Sequence, residues 1–197
     1  RDCHRQAGEL VLRLVVVRHR DGSLAVLRAV APRRHAHLLQ WVAAADDDGN
    51  VVEGAIQGLA RIARRHDLQG AEATRALVAL TAEPLRREAA IKALSELPTR
   101  RISDVAQGLS DPSPAVRGAS VEALGRMQQS GASRALESAL DDAHPGVRLA
   151  AIRALKNLGT REPQRKLMTL ARTDPDAEVR RAAMFAASRS GDPGPDS

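Results

Sequence analysis

Asp111-Pro112-Ser113-Pro114-Ala115-Val116-Arg117, Asp142-Ala143-His144-Pro145-Gly146-Val147-Arg148 and Asp174-Pro175-Asp176-Ala177-Glu178-Val179-Arg180 are three copies of one frame. Each opens on Asp, closes on Val-Arg and runs into an alanine-rich stretch, and the copies recur 31 and 32 residues apart. A period of this length marks an array in which each copy is one supersecondary unit.

Working outward, five anchors align: Ile56, Ile91, Val121, Ile152 and Met184, spaced by 35, 30, 31 and 32 residues. Small residues occupy the two preceding positions in every copy (Gly54-Ala55, Ala89-Ala90, Ala119-Ser120, Ala150-Ala151, Ala182-Ala183). Gly58, Ala93, Ala123, Ala154 or Ala186 follows two positions later, then Leu59, Leu94, Leu124, Leu155 or Ala187. Six after the anchor stands Ile62, Leu97, Met127, Leu158 or Ser190. The anchor and its third and sixth successors trace one stripe of a helix, and the small residues let neighbouring helices approach. Pro84, Pro114 and Pro145, with Gly49 and Ala177 in the other copies, fall seven before the anchor, where a first helical residue does not need its N–H. Ser113 and Asp176 are then expected as N-caps.

Second, shorter helices are predicted at 102–109, 134–140 and 164–171, divided from the first by Pro98, Ser130-Gly131 and the breakers between 159 and 163. One such hairpin cannot bury its own stripe, so the units must stack. Near-absence of aromatics, with one Trp, one Phe and no Tyr, also favours closely packed helices over a β-sandwich.

The three quoted frames resemble HEAT repeats of the bilin-lyase-like class, closely over 111–190, less so over 46–110, and not before 40. The resemblance implies an all-α fold: an α-solenoid, a right-handed superhelix of about five HEAT-type helical hairpins. It also implies that Asp111, Arg117, Asp142, Arg148, Asp174 and Arg180 form a structural ladder between repeats. No residue carries over to bilin-lyase chemistry. Iron-binding HEAT hydroxylases use His-Glu dipeptides, and no His here precedes Glu.

The expected organisation is an N-terminal segment over 1–22, a solenoid over 23–190 with clear repeats from 46, and a Gly/Pro-rich tail over 191–197. Residues 9–19 stay open between strand and helix: valines around Asp21-Gly22 suit a β-hairpin, while Ser23 can cap a helix running to Val30, with His35 to Ala45 as its partner. A start on Arg1 suggests a piece of a longer protein. The longest apolar run, 10–17, is broken by Arg13 and too short for a bilayer, so no membrane partner is expected.

The net charge of +6 is uneven: residues 1–40 hold eight basic and three acidic groups, 41–110 nine and ten, and 111–197 thirteen and eleven. Over 41–197 the net is only +1. Arg61, Arg64, Arg65, Arg100 and Arg101 make a candidate basic binding patch for nucleic acid, though arginines at helix ends more often serve exposed carbonyls. With so few aromatics to stack on bases, nucleic acid is the less favoured partner. Asp46-Asp47-Asp48 reads as an N-terminal cap, not a metal site. His35 and His37, two apart, point to different faces of a helix. Cys3-His4 is either an ordinary terminal thiol or the end of a Cys-x-x-Cys-His haem site, the latter implying an accessory domain of a multihaem or chromophore-processing protein. No cofactor and no catalytic group is expected. The favoured reading is a non-catalytic scaffold that binds a protein or peptide along the concave face.

Overall fold

The computed structural model describes residues 35–45, 48–158 and 163–189. Among these residues the chain is all-helical, without strands. The ten α-helices are α1 (His35–Ala45), α2 (Gly49–Ala63), α3 (Leu68–Leu80), α4 (Arg87–Ser95), α5 (Ile102–Ala106), α6 (Pro114–Arg126), α7 (Ser133–Ser138), α8 (Pro145–Leu158), α9 (Gln164–Thr173) and α10 (Ala177–Arg189). The even-numbered helices carry the anchors and pack on one another in series, α2 to α4 to α6 to α8 to α10. Of the odd-numbered helices, α3, α5, α7 and α9 each follow an anchor helix as the second member of its unit.

Burial follows the stripe read from the sequence. Ile56, Ile91, Val121 and Ile152 are at most 2% exposed, and Leu59, Leu94, Leu124 and Leu155 are buried beneath them. One continuous core runs from α1 to α10. Small residues set the spacing: a Cβ on Gly125 of α6 would come within 2.7 Å of the Ala154 Cβ on α8, so the two helices touch almost backbone to backbone there.

The helix starts follow local chemistry. Asp48 caps α2, its side chain accepting the Asn50 N–H at 2.9 Å. Asp176 caps α10, accepting from the Glu178 and Val179 N–H groups at 2.8 and 3.0 Å. Pro114 and Pro145 open α6 and α8.

Several expectations are corrected. Ser113 stands at the cap position of α6 but its side chain makes no capping bond; its own N–H is instead held by Asp111 Oδ1 at 2.8 Å. Pro84 does not open α4, which begins three residues later. There Arg86 occupies the place that Val116, Val147 and Val179 fill in the other copies, and it is buried with its Nε donating to the Ala43 carbonyl of α1. Reaching back to α1 holds residues 81–86 in turns and delays the helix. The second helices at 102–106 and 133–138 are short α-helices flanked by 3₁₀ turns, Thr99–Arg101 and Gln107–Ser110 around the first, Ser130–Ala132 and Ala139–Asp141 around the second. In contrast α3, which the repeat pattern did not delineate, has thirteen residues.

Met184 breaks the burial pattern, being 62% exposed. Its register is nevertheless that of the other anchors, because Val179, Ala183, Ala186 and Ala187 of α10 are buried as their counterparts in α8 are. The readings of Cys3-His4, of residues 9–19, of a helix over 24–30 and of the tail over 191–197 lie outside the described residues.

Candidate functional site

The three quoted frames build a ladder of charge along one edge of the stack. Arg117 on α6 grips Asp142 with two hydrogen bonds, Nε to Oδ2 at 2.7 Å and Nη2 to Oδ1 at 2.9 Å. Its Nη1 donates to the Asp111 and Pro112 carbonyls at 2.9 and 3.1 Å. Arg148 on α8 repeats this: Nε and Nη2 to the Asp174 carboxylate at 2.8 and 2.7 Å, Nη1 to the Asp142 and Ala143 carbonyls at 2.9 and 3.2 Å. Each Arg thus closes its own turn and grasps the next unit in the planar two-point geometry that guanidinium and carboxylate favour. The carboxylates are further fixed by the N–H two residues on, His144 for Asp142 and Asp176 for Asp174.

Hydrogen bonding from Arg117 holds the Asp142 carboxyl below the usual carboxylate range, against the opposing effect of burial. Arg148 does the same for Asp174. Both guanidinium groups are correspondingly pushed up, chiefly by the same bonds.

Counting back from the anchors extends the ladder beyond the six residues. Four positions back stand Val52, Arg87, Arg117, Arg148 and Arg180, and ten back Asp46, Thr81, Asp111, Asp142 and Asp174. Where Val52 replaces the Arg, Thr81 replaces the Asp it would have met, so both charges are missing from that rung. Arg87 keeps the local half of the motif, its Nε donating to the Thr81 carbonyl six residues back at 3.1 Å. Among the described residues no ion pair joins it to Asp111.

The candidate basic patch divides. Arg101 is 7% exposed and points inward. Its Nε donates to the Ala63 carbonyl at 2.9 Å, its Nη2 to the Arg65 and Asp67 carbonyls, and its Nη1 to Asp104 Oδ2 at 2.8 Å. It therefore closes the C-terminal end of α2, where carbonyls lack helical partners, and it drops out of any open surface. Gly70 makes room for it, since a Cβ there would stand 2.1 Å from Arg101 Nη2. Arg100 donates to the Arg64 carbonyl. Arg64 and Arg65 are exposed and face Glu96 at 3.5 Å and Asp67 at 3.0 Å. Arg61 is exposed on the last turn of α2. Arg61, Arg64, Arg65 and Arg100 thus cluster around one helix end, with two carboxylates among them.

The second helices carry a different set that the repeat pattern did not single out. Arg75 on α3, Ser103 on α5, Gln107 just after it, Arg134 and Ser138 on α7, and Arg165 and Thr169 on α9 are all exposed. Leu77, Val105, Leu136 and Leu167 of the same helices are buried. Among the described residues no three His, Cys, Asp or Glu side chains converge on a metal position, and no helix is long and apolar enough to cross a membrane.

Residues 102–188 match the family model for HEAT repeats. These residues form HEAT repeats. The match covers the three quoted frames and three of the five anchors, and it is to HEAT repeats as such, not to the bilin-lyase-like class. No curated protein matches the sequence. Among solved structures, the chain is similar to a designed armadillo repeat protein in complex with peptide (KR)4, at 21% identity over 80% of this chain and 81% of that one, with a TM-score of 0.43. It is also similar to computationally designed armadillo repeat proteins for modular peptide recognition, at 22% identity over 77% and 80% of the two chains, TM-score 0.43. An engineered protein superimposes at 21% identity over 79% and 71%, TM-score 0.39.

Proposed function

We propose that the HEAT stack is a non-catalytic scaffold that holds a protein or peptide partner along its inner face. The observation that carries this reading is the second-helix row: each of these helices buries apolar residues in the core, while Arg75, Ser103, Gln107, Arg134, Ser138, Arg165 and Thr169 on or just after them stay exposed. The backbone that carries these side chains is already ordered by packing, so binding an extended segment has little backbone freedom left to remove. Three of the seven are arginines whose planar forks match carboxylates and backbone carbonyls.

Peptides selected from a random display library against the intact chain provide the test. Selected peptides should protect amides of α3, α5, α7 and α9 from hydrogen exchange, and combined Arg75→Glu, Arg134→Glu and Arg165→Glu should weaken binding at least about tenfold with an unchanged helical signal. Affinity insensitive to that triple substitution would overturn the reading. Salt-dependent binding of a DNA duplex, lost on replacing Arg61, Arg64 and Arg65, would instead favour a nucleic-acid function.

A further inference from the structure

Every exposed charged side chain on α3, α5, α7 and α9 is an arginine: Arg75, Arg134, Arg165 and Arg172. Among the described residues none of the four has a hydrogen-bond or ion-pair partner. The acids of the same helices, Glu72, Asp104 and Glu137, are half-buried, and Arg101 holds Asp104 at 2.8 Å. Asp141, exposed in the turn after α7, is held by Lys166. The first helices differ. Their exposed charges mix both signs, among them Glu88, Lys92, Glu122 and Arg126, and Arg126 meets Glu88 and Glu122 at 2.7 and 2.6 Å. Arg126 thus finds an acid in a neighbouring unit, and the second-helix arginines find none.

The row also keeps step with the array. Ser103, Arg134 and Arg165 recur every 31 residues, each two before a buried Val105, Leu136 or Leu167, and Gln107, Ser138 and Thr169 recur at the same interval two residues after it. On α9, Arg165, Met168, Thr169 and Arg172 share one face of the helix, and Met168 is 41% exposed. Units packed helix on helix stand about 8–10 Å apart. A polyproline-II segment rises about 3.1 Å per residue with three residues per turn, so every third side chain returns to the same side after about 9 Å.

We propose, resting on the scaffold function above, that its extended partner is an acidic polyproline-II segment, whose carboxylates at every third residue meet Arg134 and Arg165 one unit apart and Arg75 two units before Arg134. Guanidinium takes carboxylate in two-point geometry, as Arg117 and Arg148 already do inside the stack. No exposed residue of these four helices is aromatic, so a base would find nothing to stack on and a nucleic-acid strand fits less well. The chain's own ends also fit less well. Residues 1–40 hold eight basic and three acidic groups, the same sign as the row, and Asp192 and Asp196 are four apart, out of step with a three-residue turn.

The probe is a fluorescent peptide of about four Glu-Pro-Pro triplets, titrated into the intact chain at low salt. Saturable binding is expected that weakens with added salt. It should fall about tenfold or more when Gln replaces Glu in the peptide, and about threefold or more for each of Arg134→Gln and Arg165→Gln. Both positions are exposed and unpaired, so these variants keep the fold. Arg153→Gln, exposed on α8 outside the row, should leave the affinity unchanged. Affinity unmoved by Arg134→Gln and Arg165→Gln together, equal affinity for a peptide whose glutamates are bunched at one end, or tighter binding of a single-stranded oligonucleotide overturns the proposal. Binding that appears only when Asp192→Asn and Asp196→Asn are both made also overturns it, and gives the row to the chain's own C-terminal segment. Uncharged library peptides that protect α3, α5, α7 and α9 while the acidic peptide stays silent overturn it alone and leave the scaffold function standing; if nothing occupies the row, both fall.

Discussion

Arg148 and Asp174 form the most buried ion pair among the described residues, their side chains 9% and 2% exposed. A buried charge is tolerable only while its partner stays, so Arg148→Met should cost about 3 kcal/mol or more by stranding the Asp174 carboxylate, read as a drop in the urea midpoint. Replacing both residues with apolar ones should recover much of the loss, because no charge is then left behind. The same pair governs acid sensitivity. The folded pKa values of Asp142 and Asp174 lie below their unfolded ones, so the stability these groups contribute is complete above the unfolded value. It is lost as pH falls from about 4 down through the folded values. Melting temperature measured against pH should show this decline, and Arg148→Met should flatten it. Ser120 offers an opposite case. Its hydroxyl is buried with no hydrogen-bond partner, and the other copies hold Ala55, Ala90, Ala151 and Ala183 there. Ser120→Ala should raise stability by about 1 kcal/mol, measured by thermal denaturation.

At the scale of elements, the first helices show how well a repeated stripe marks a helix. Leu155 on α8 and Leu124 on α6 are both buried, in adjacent units. Leu155→Asp should therefore cost roughly 3 kcal/mol or more, through an unpaired charge in the core. Circular dichroism should show loss of several helices together, and an unmoved midpoint would mean that Leu155 is not in the core. The second helices were harder to read, for two physical reasons. α3 buries Gly70, Ala73, Thr74, Ala76, Leu77, Val78 and Leu80, so apolar and small residues surround most of it and no single stripe stands out. α5 and α7 have five and six α-helical residues, extended by 3₁₀ turns, too few for a period to declare itself. The turn after α6 is marked by Gln128, at φ 50°. Glycine adopts that left-handed conformation without strain, so Gln128→Gly should be neutral or stabilising by up to about 1 kcal/mol in the same melts.

For the whole molecule, stacking makes each unit lean on its neighbours, so stability is shared along the array and not housed in one central core. The exposed row on the second helices is the surface proposed above for an extended partner. The amino-acid sequence alone determined the first helices' apolar stripe and its register, because period and small-residue spacing are local and recur, while the ladder residues were implied by the resemblance of the Asp and Val-Arg frames to HEAT repeats. It could not determine which arginine meets which aspartate. Arg148 reaches not its own Asp142 carboxylate but that of Asp174, 26 residues on. Nor could it separate Arg101, turned inward onto carbonyls, from Arg64 and Arg65 beside it in space, or foresee that Met184 would lie bare while the four anchors before it are buried. Those outcomes depend on what stands opposite each side chain, and only the packed stack decides that.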